Sequence, residues 1–269
     1  MLPESSAEHR GSWMWLAASL PLLLLTLAAV SGLVLGTSPA MVWAQLGKPE
    51  TMDAIGVSLR TTLVSILIVG VFGFFLAMAL ARARGVLASV LEMVVTLPTV
   101  LPPSVAGLAL LAAFGRQGLF GGVLESFGVR LAFTPWAVVM AQVLVAAPFF
   151  VREAAVAFRS LPRELVDAAR LDGATSWQIG SRLMLPLASP FLATGLILAW
   201  TRSLGEFGAT IMFAGNMPGV TQSMPLAVYL GFESSIEEAK ALSVILLVIA
   251  VVVLVTVRMI LGRRLSFAH

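Results

Sequence analysis

The chain has 269 residues, of which 59% are hydrophobic and 12% are charged, and its formal net charge is +3. A soluble domain carries about 25% charged residues, so this composition excludes an ordinary cytosolic protein and places most of the chain in lipid. Cysteine is absent, which excludes disulfides and thiolate chemistry. The two histidines, His9 and His269, lie at the two ends, so a histidine centre inside the membrane is excluded as well.

The apolar runs predict one helical membrane domain over residues 1–269. A helix needs about 20 apolar residues to cross a bilayer, and about six runs qualify. They lie at 13–35, 58–81, 93–114, 136–151, 187–213 and 242–261. The first run is too long for a signal-peptide core and no clear cleavage site follows it, so we interpret it as a retained helix. The fourth run is short, and its bounds are poorly marked.

Basic residues predict which side of the membrane each loop occupies, because positive charge gathers on the cytoplasmic side. With the N-terminus inside, the cytoplasmic side receives Arg10, Arg82, Arg84, Arg152, Arg159, Arg163, Arg170, Arg182, Arg258, Arg263 and Arg264. The outer side receives Lys48, Arg60, Arg116, Arg130 and Lys240. We therefore expect both termini in the cytoplasm, together with the segment 152–186, here called the polar loop. Arginines scattered at span ends indicate topology rather than nucleic-acid binding.

The polar loop carries two short helix patterns. In "SLPRELVDAARLDG", Ser160 can cap a helix and Pro162 falls in its first turn, where the missing N–H costs little. Gly173 is placed to end that helix in a left-handed conformation. Thr175 or Ser176 can then cap a second helix, "WQIGSRLML". The pattern predicts a helix, a sharp turn and a second helix.

One face of the first loop helix is small and apolar, and Pro186 separates the second helix from the next span. The residues on that face are Leu161, Leu165, Ala168 and Ala169. Such a face suits docking into a groove on a partner. The alternative is a connector that lies on the lipid headgroups. The pattern alone leaves both open.

The third span contains a proline cluster, "VVTLPTVLPPSVAG", with Pro98, Pro102 and Pro103. Each proline removes a backbone donor and crowds the preceding turn, so we do not expect a regular helix there. Broken backbone at membrane depth persists where protein or a watery cavity covers it. The cluster, with the hydroxyl of Thr96 beside it, is therefore either a packed kink or part of a translocation path.

The fifth span contains a charged pair in "AWTRSLGEFGATIMF". Arg202 and Glu206 are four residues apart, which predicts one helix face and a pairing with each other or with another helix. Charged residues inside a membrane are costly and indicate function by default. We take Arg202, Ser203 and Glu206 as candidate path or gate residues, with a structural ion pair as the alternative.

The polar loop resembles the conserved cytoplasmic loop of permease subunits in binding-protein-dependent ABC importers. That family's motif is EAA, three residues, Gly, nine residues and Ile-x-Leu-Pro. This chain has Asp167-Ala168-Ala169, Gly173 and Leu183-Met184-Leu185-Pro186 at the same spacing. Asp replaces Glu and Leu replaces Ile, and both changes keep the charge or the apolar character. The resemblance implies that the first loop helix is a coupling helix that sits in a cleft of the ATPase subunit.

Two further stretches narrow the resemblance. "LPTVLPPSVAGLALL" with "GRQGLFG", and "RSLGEFGATIMFAGNMPGVTQSMPLAVY", are similar to the permeases of molybdate importers. Sulfate and thiosulfate permeases share much of the proline and "GEFGA" pattern. Molybdate and sulfate are both tetrahedral and doubly charged, so the residue chemistry does not separate them, and tungstate stays open too.

The chain has no ATPase motif of its own. A phosphate-binding P-loop needs G-x-x-x-x-G-K-[ST], and neither Lys48 nor Lys240 fits that pattern. If transport is driven by ATP, another chain supplies the hydrolysis. With the resemblance, this implies a transport subunit without cofactors of its own, rather than an enzyme.

The resemblance implies a type I ABC importer permease in a prokaryotic inner membrane. It also implies a homodimer, two ATPase subunits that bind ATP and Mg²⁺, and an oxyanion-binding protein outside, periplasmic or anchored to the surface. Two other classes of protein are the alternatives. An intramembrane enzyme would need a nucleophile and base that the chain lacks, and an ion-driven carrier would use Glu206 as its proton site.

Overall fold

The computed structural model describes residues 5–265, with side chains from 15 to 259 except those of 163 and 258. Helices form this part of the chain, and no strand occurs within it, which confirms the predicted all-α fold class. In chain order the helices are α1 (Ser5–Leu35), α2 (Pro39–Leu46), α3 (Pro49–Arg82), α4 (Gly85–Val100), α5 (Pro103–Phe114), α6 (Gly121–Ser126), α7 (Pro135–Ser160), α8 (Arg163–Leu171), α9 (Ser176–Gln178), a π-helix (Ile179–Met184), α10 (Leu185–Leu204), α11 (Gly208–Ala214), α12 (Met224–Ser234) and α13 (Ile236–Leu265). The side chains of His9, Arg10, Arg163, Arg258, Arg263, Arg264 and His269, on which predictions were made, lie outside the described ones.

Five helical stretches in the described chain are long and apolar enough to cross a membrane, and a sixth span is obtained if one bent pair counts as one. The five are Trp15–Leu35, Pro49–Arg82, Pro135–Ser160, Ser176–Leu204 and Ile236–Val257, and the bent pair is Gly85–Val100 with Pro103–Phe114. The predicted number of about six is confirmed.

Predicted bounds were wrong for several spans, most clearly for the fourth and the fifth. The fourth span is not short, because α7 runs for 26 residues through Arg152 and ends at Ser160. The segment after the apolar run is rich in Ala, Arg and Glu, which favour helix, so the helix continues beyond the apolar part. The fifth span does not run unbroken to Phe213, because α10 ends at Leu204 and a new helix begins at Gly208.

The main core forms where α3, α7 and α10 pack around Phe150, which is 2% exposed. A Cβ on Gly73 of α3 would lie 2.8 Å from Phe150 Cδ1, and one on Gly195 of α10 would lie 3.2 Å from Phe150 Cδ2. The two glycines therefore leave room for a single aromatic ring between three helices. Small residues at helix contacts allow such close approach, which drives packing in lipid.

Two smaller clusters complete the bundle. In one, α5 and α11 pack on α7 around Phe213, which is fully buried. In the other, α2, α12 and α13 surround Met224, which is also fully buried. Helix α1 differs from both, because no residue of its apolar window Trp15–Leu35 is buried within the chain and its contacts are mainly with α13.

Candidate translocation and coupling sites

The predicted break in the third span is present. Helices α4 and α5 meet at an angle of 113°, with Leu101 and Pro102 between them. Pro102 is the N-cap of α5 and Pro103 its first residue, so neither proline leaves a helical hydrogen bond unmade. Pro98 does not interrupt the chain, because α4 continues through it to Val100. The bend therefore depends on the Pro102–Pro103 pair.

Arg202 and Glu206 form the predicted ion pair, with Arg202 Nη1 2.6 Å from Glu206 Oε2. The prediction that both lie on one helix face was wrong for Glu206, which lies beyond the last residue of α10. Glu206 Oε1 accepts a hydrogen bond from the backbone N–H of Ala209 at 2.7 Å, within the first turn of α11. The carboxylate thus pairs with the last turn of one helix and accepts from an N–H of the next, since a helix start has unpaired N–H groups.

The two members of the pair have different surroundings. Glu206 is 1% exposed, whereas the Arg202 side chain is 30% exposed. Among the described residues, Arg202 is the one partner of Glu206 Oε2. A buried carboxylate is stable only with such a partner, because water no longer solvates it.

The two broken spans pack against each other close to their breaks. A Cβ on Gly208, the first residue of α11, would lie 2.8 Å from Pro103 Cβ. A Cβ on Gly107 of α5 would lie 2.5 Å from the carbonyl oxygen of Ala209. Both glycines are therefore required by close backbone approach. The proline cluster and the charged pair, which are about 100 residues apart in the chain, meet here.

The other candidate path residues are more dispersed. Thr96 and Pro98 are half-buried on α4, whose helix contacts are mainly with α7. Ser203 is fully buried and its hydroxyl accepts a hydrogen bond from Ser65 Oγ at 3.3 Å. The structure therefore brings Pro102 and Pro103 close to the Arg202–Glu206 break, while Thr96 and Pro98 lie on the other side of the bend.

A buried polar seam along α3 was missed in the sequence. Its members on α3 are Ser58, Thr61, Thr62 and Ser65, all at most 4% exposed. Gln142 Nε2 of α7 donates to Thr61 Oγ1 at 3.2 Å, and the backbone N–H of Met224 donates to Ser58 Oγ at 2.7 Å. Hydroxyls at i, i+3, i+4 and i+7 in an apolar run were the available signal, since they share one helix face. The seam joins α3 to α7, α10 and α12.

The polar loop has the predicted helix–turn–helix form. Helix α8 ends with Gly173 in the left-handed region at φ +83°. Thr175 caps the second helix: Gln178 N–H donates to Thr175 Oγ1 at 3.3 Å, and Thr175 N–H donates to Gln178 Oε1 at 2.8 Å. This reciprocal arrangement is a capping box, which fixes the turn.

The start of α8 and the role of Pro186 were predicted wrongly. Ser160 is the last residue of α7 and donates to Ala157 O, so it does not cap α8, and Pro162 is the N-cap rather than a first-turn residue. Pro186 does not separate two helices, because the π-helix leads directly into α10. Proline lacks an N–H and crowds the carbonyl four residues earlier. The wider π turn just before Pro186 relieves that crowding, and π turns occur often at functional sites.

The candidate coupling residues fall on two surfaces. A groove of about 500 Å³ between α8 and the π-helix is lined by Ala168, Ala169, Gly173 and Leu183. Asp167 is 63% exposed and pairs with Arg170 at 3.3 Å, in a contact worth little at such exposure. Leu185 and Pro186 are exposed but do not line this groove. The groove and the exposed face of α8 together offer a surface for a partner.

Within the described part of the chain, no group of three or more His, Cys, Asp or Glu side chains is placed to hold a metal ion. The arrangement instead combines broken helices, a buried ion pair and an exposed loop helix. Broken helices can redirect a path through the membrane, and an exposed loop helix can bind a partner.

Comparison with known proteins adds to this geometry. Residues 69–268 match the family described as "Binding-protein-dependent transport system inner membrane component". The molybdenum transport system permease protein ModB of Mycobacterium tuberculosis is 39% identical over 241 residues, which cover 86% of this chain and 91% of that protein. The sulfate transport system permease protein CysT of Escherichia coli is 32% identical over 243 residues, covering 90% and 88%.

A solved structure shares the fold. It is the crystal structure of a bacterial ABC transporter involved in the import of the acidic polysaccharide alginate, with a TM-score of 0.74. The match covers 95% of this chain and 97% of that chain at 18% identity. At that identity the likeness supports the type I importer permease fold and nothing about cargo.

Proposed function

From the premise that this chain belongs to the family of binding-protein-dependent transport system inner membrane components, we propose that its cargo is molybdate. The chain is an ABC importer permease, a transport component rather than an enzyme. The observation that carries the choice of cargo is the 39% identity to a molybdenum permease over 86% of the chain. Sulfate is the second candidate, because a sulfate permease is 32% identical over 90% of it.

The path of the anion runs past the two helix breaks. In this proposal Pro102 and Pro103 bend one wall, and the Arg202–Glu206 pair with Ser203 holds the other wall in place. Thr96 and Pro98 belong to the same path on the far side of the bend. A path of this kind needs only modest affinity for the ion, since tight binding would trap it.

In this proposal the polar loop couples ATP hydrolysis in the partner ATPase to movement of the spans. Helix α8 is the coupling helix, and the surface that meets the ATPase is formed by Asp167, Ala168, Ala169, Gly173, Leu183, Leu185 and Pro186. Support comes from the exposure of Leu165 and Ala168 on α8 and from the groove beside Gly173. Exposed apolar side chains on a charged helix suit a protein groove.

The proposed assembly is a homodimer of this chain with two ATPase subunits and one external oxyanion-binding protein. The ATPase subunits bind ATP and Mg²⁺, and both termini of this chain and its polar loop face the cytoplasm of a prokaryotic cell. The bare apolar surface of α1 supports a second copy of the chain or lipid as its neighbour.

The cargo is tested on the external binding protein that works with this chain. Calorimetric titration with molybdate, tungstate and sulfate should give the tightest binding for molybdate, with sulfate weaker by at least tenfold. Preferred binding of sulfate would replace molybdate as the cargo and leave the importer assignment intact.

The coupling role is tested by Gly173→Asp in the full chain, co-expressed with its ATPase. The substitution places a carboxylate in the proposed contact and costs about 1–2 kcal/mol of backbone strain, too little to unfold the chain. We expect ATPase co-purification to be lost. Gly128→Asp is the matched control, because Gly128 also has a positive φ (+69°) and open space around it. Unchanged co-purification of Gly173→Asp would contradict the role of this loop.

A further inference from the structure

A second groove lies on the opposite side of the π-helix from the polar-loop groove. It has a volume of about 380 Å³ and runs between α3 and the π-helix. Its walls include Phe75, Met78 and Trp177. Phe75 is 54% exposed and Trp177 71% exposed, so the chain itself leaves these rings uncovered. The volume falls within the range of about 300–1,000 Å³ for small-molecule sites.

One cation stands at the rim of this groove. Arg82 lines it, and its guanidinium has a weak contact with Met184 Sδ at 3.7 Å. Among the side chains that the structure describes, no carboxylate forms an ion pair with Arg82. No acidic residue lines the groove either. The groove therefore combines apolar walls with a positive charge that lacks a partner of opposite sign in the described chain.

The position of the groove along the membrane matches this polarity. Arg82 is the last residue of α3, a 34-residue apolar span. Trp and Arg at the end of a span mark the level of the lipid headgroups. The rim also carries Ser176 and Ser181, whereas Phe74, Phe75 and Met78 lie farther along α3 towards the bilayer interior. The groove thus changes from polar at its rim to apolar towards the bilayer interior, as a lipid does from its headgroup to its acyl chains.

We propose that this groove binds an anionic phospholipid of the leaflet on the side of the polar loop. One acyl chain lies along Phe75 and Met78, and the phosphate is bound by Arg82. The groove joins α3 to the π-helix, which links the polar loop to α10, so the lipid bridges the span and the loop. The proposal does not depend on which anion the chain transports.

The test uses the purified full chain in bilayer discs that hold phosphatidylglycerol and phosphatidylcholine in equal parts. Native mass spectrometry after transfer to detergent counts the lipid molecules of each kind that remain bound. Arg82→Gln should lower the ratio of retained phosphatidylglycerol to phosphatidylcholine about fivefold, the usual effect of one basic residue at an anionic surface. The matched control is Arg84→Gln, since Arg84 is exposed two residues away but does not line the groove.

A second pair of variants separates the groove from general surface charge. Ala79 is exposed and lines the groove, so Ala79→Phe should fill it and remove both lipids without disturbing the core. Val86→Phe adds the same ring on the 81% exposed surface of α4 and should leave retention unchanged. Equal losses in Arg82→Gln and Arg84→Gln, or full retention in Ala79→Phe, would overturn the proposal. So would a photo-crosslinker at Trp177 that labels a second copy of the chain instead of lipid.

Discussion

The two broken spans reach the same result by different means. Between α4 and α5 the break comes from the covalent structure of proline, because Pro102 and Pro103 cannot continue a helix. No charged residue is involved. Between α10 and α11 no proline is present, and Glu206 bridges the break by pairing with Arg202 and accepting a hydrogen bond from the Ala209 N–H of α11. The first break is determined by the local sequence, whereas the second is held by an ion pair that water would weaken.

The contact between the two breaks indicates how movement can pass from one broken span to the other. Gly107 and Gly208 bring α5 and α11 to backbone contact, so a shift in one wall must move the other. A proline bend depends on the fixed φ and the missing N–H of the ring, which do not change with the surroundings. A break held by an ion pair at a partly exposed arginine can respond to changes in the proposed path beside it. This makes the α10–α11 break the one whose disruption should cost most.

The largest effect is expected for Glu206→Ala. Arg202 loses its partner and the Ala209 N–H loses its acceptor, at a cost of about 3 kcal/mol, the lower end for a broken buried pair because Arg202 is partly exposed. Thermal unfolding of the chain in detergent measures the loss. Glu92→Ala removes an exposed carboxylate from α4 and should change little. Equal stability of the two variants would show that the pair does not hold the break.

A smaller effect is expected where the two breaks touch. Gly107→Ala puts a methyl group 2.5 Å from the Ala209 carbonyl oxygen, so the backbone of α5 or α11 must shift, at a cost of about 2 kcal/mol. Gly56→Ala serves as control, since no atom lies within 4 Å of the added carbon. The same unfolding measurement applies, and a loss no greater than that of Gly56→Ala would mean that the two walls are not in contact.

The smallest effect is expected for Pro102→Ala. Pro103 still begins α5 and the glycine contacts still hold it, so the loss of stability should be within about 1 kcal/mol, as for a single proline in a compatible turn. Pulsed electron–electron distance measurements between spin labels on α4 and α5 should show an unchanged bend. A straightened pair of helices would show that Pro102 alone sets the angle.

Prediction from sequence succeeded where local chemistry decides the structure. The bend at Pro102–Pro103, the left-handed Gly173 and the cap at Thr175 follow from the covalent or hydrogen-bonding properties of single residues. The spacing of the loop motif can likewise be read from the sequence, and its coupling role stays a prediction. The family assignment also came from the sequence, because the same spacing and the same proline and glycine patterns occur in relatives.

Tertiary contacts decided the rest. The end of α10 at Leu204 depends on the contacts of Glu206 with Arg202 and with the Ala209 N–H. Pro186 is accommodated by a π turn, which helical periodicity does not reveal. The polar seam from Ser58 to Ser65 was visible as a spacing of hydroxyls, but its partner Gln142 lies on another helix. A single sequence does not indicate which distant helix supplies such a partner.

ATP-driven import of molybdate is tested most directly by its uptake into sealed vesicles that contain the purified permease. With its ATPase and ATP on one side and the binding protein on the other, the wild-type chain should accumulate molybdate. Omitting any of the three should stop uptake, and Glu206→Ala should lower it strongly. Accumulation by the chain alone, driven by a proton gradient without ATP, would contradict the account.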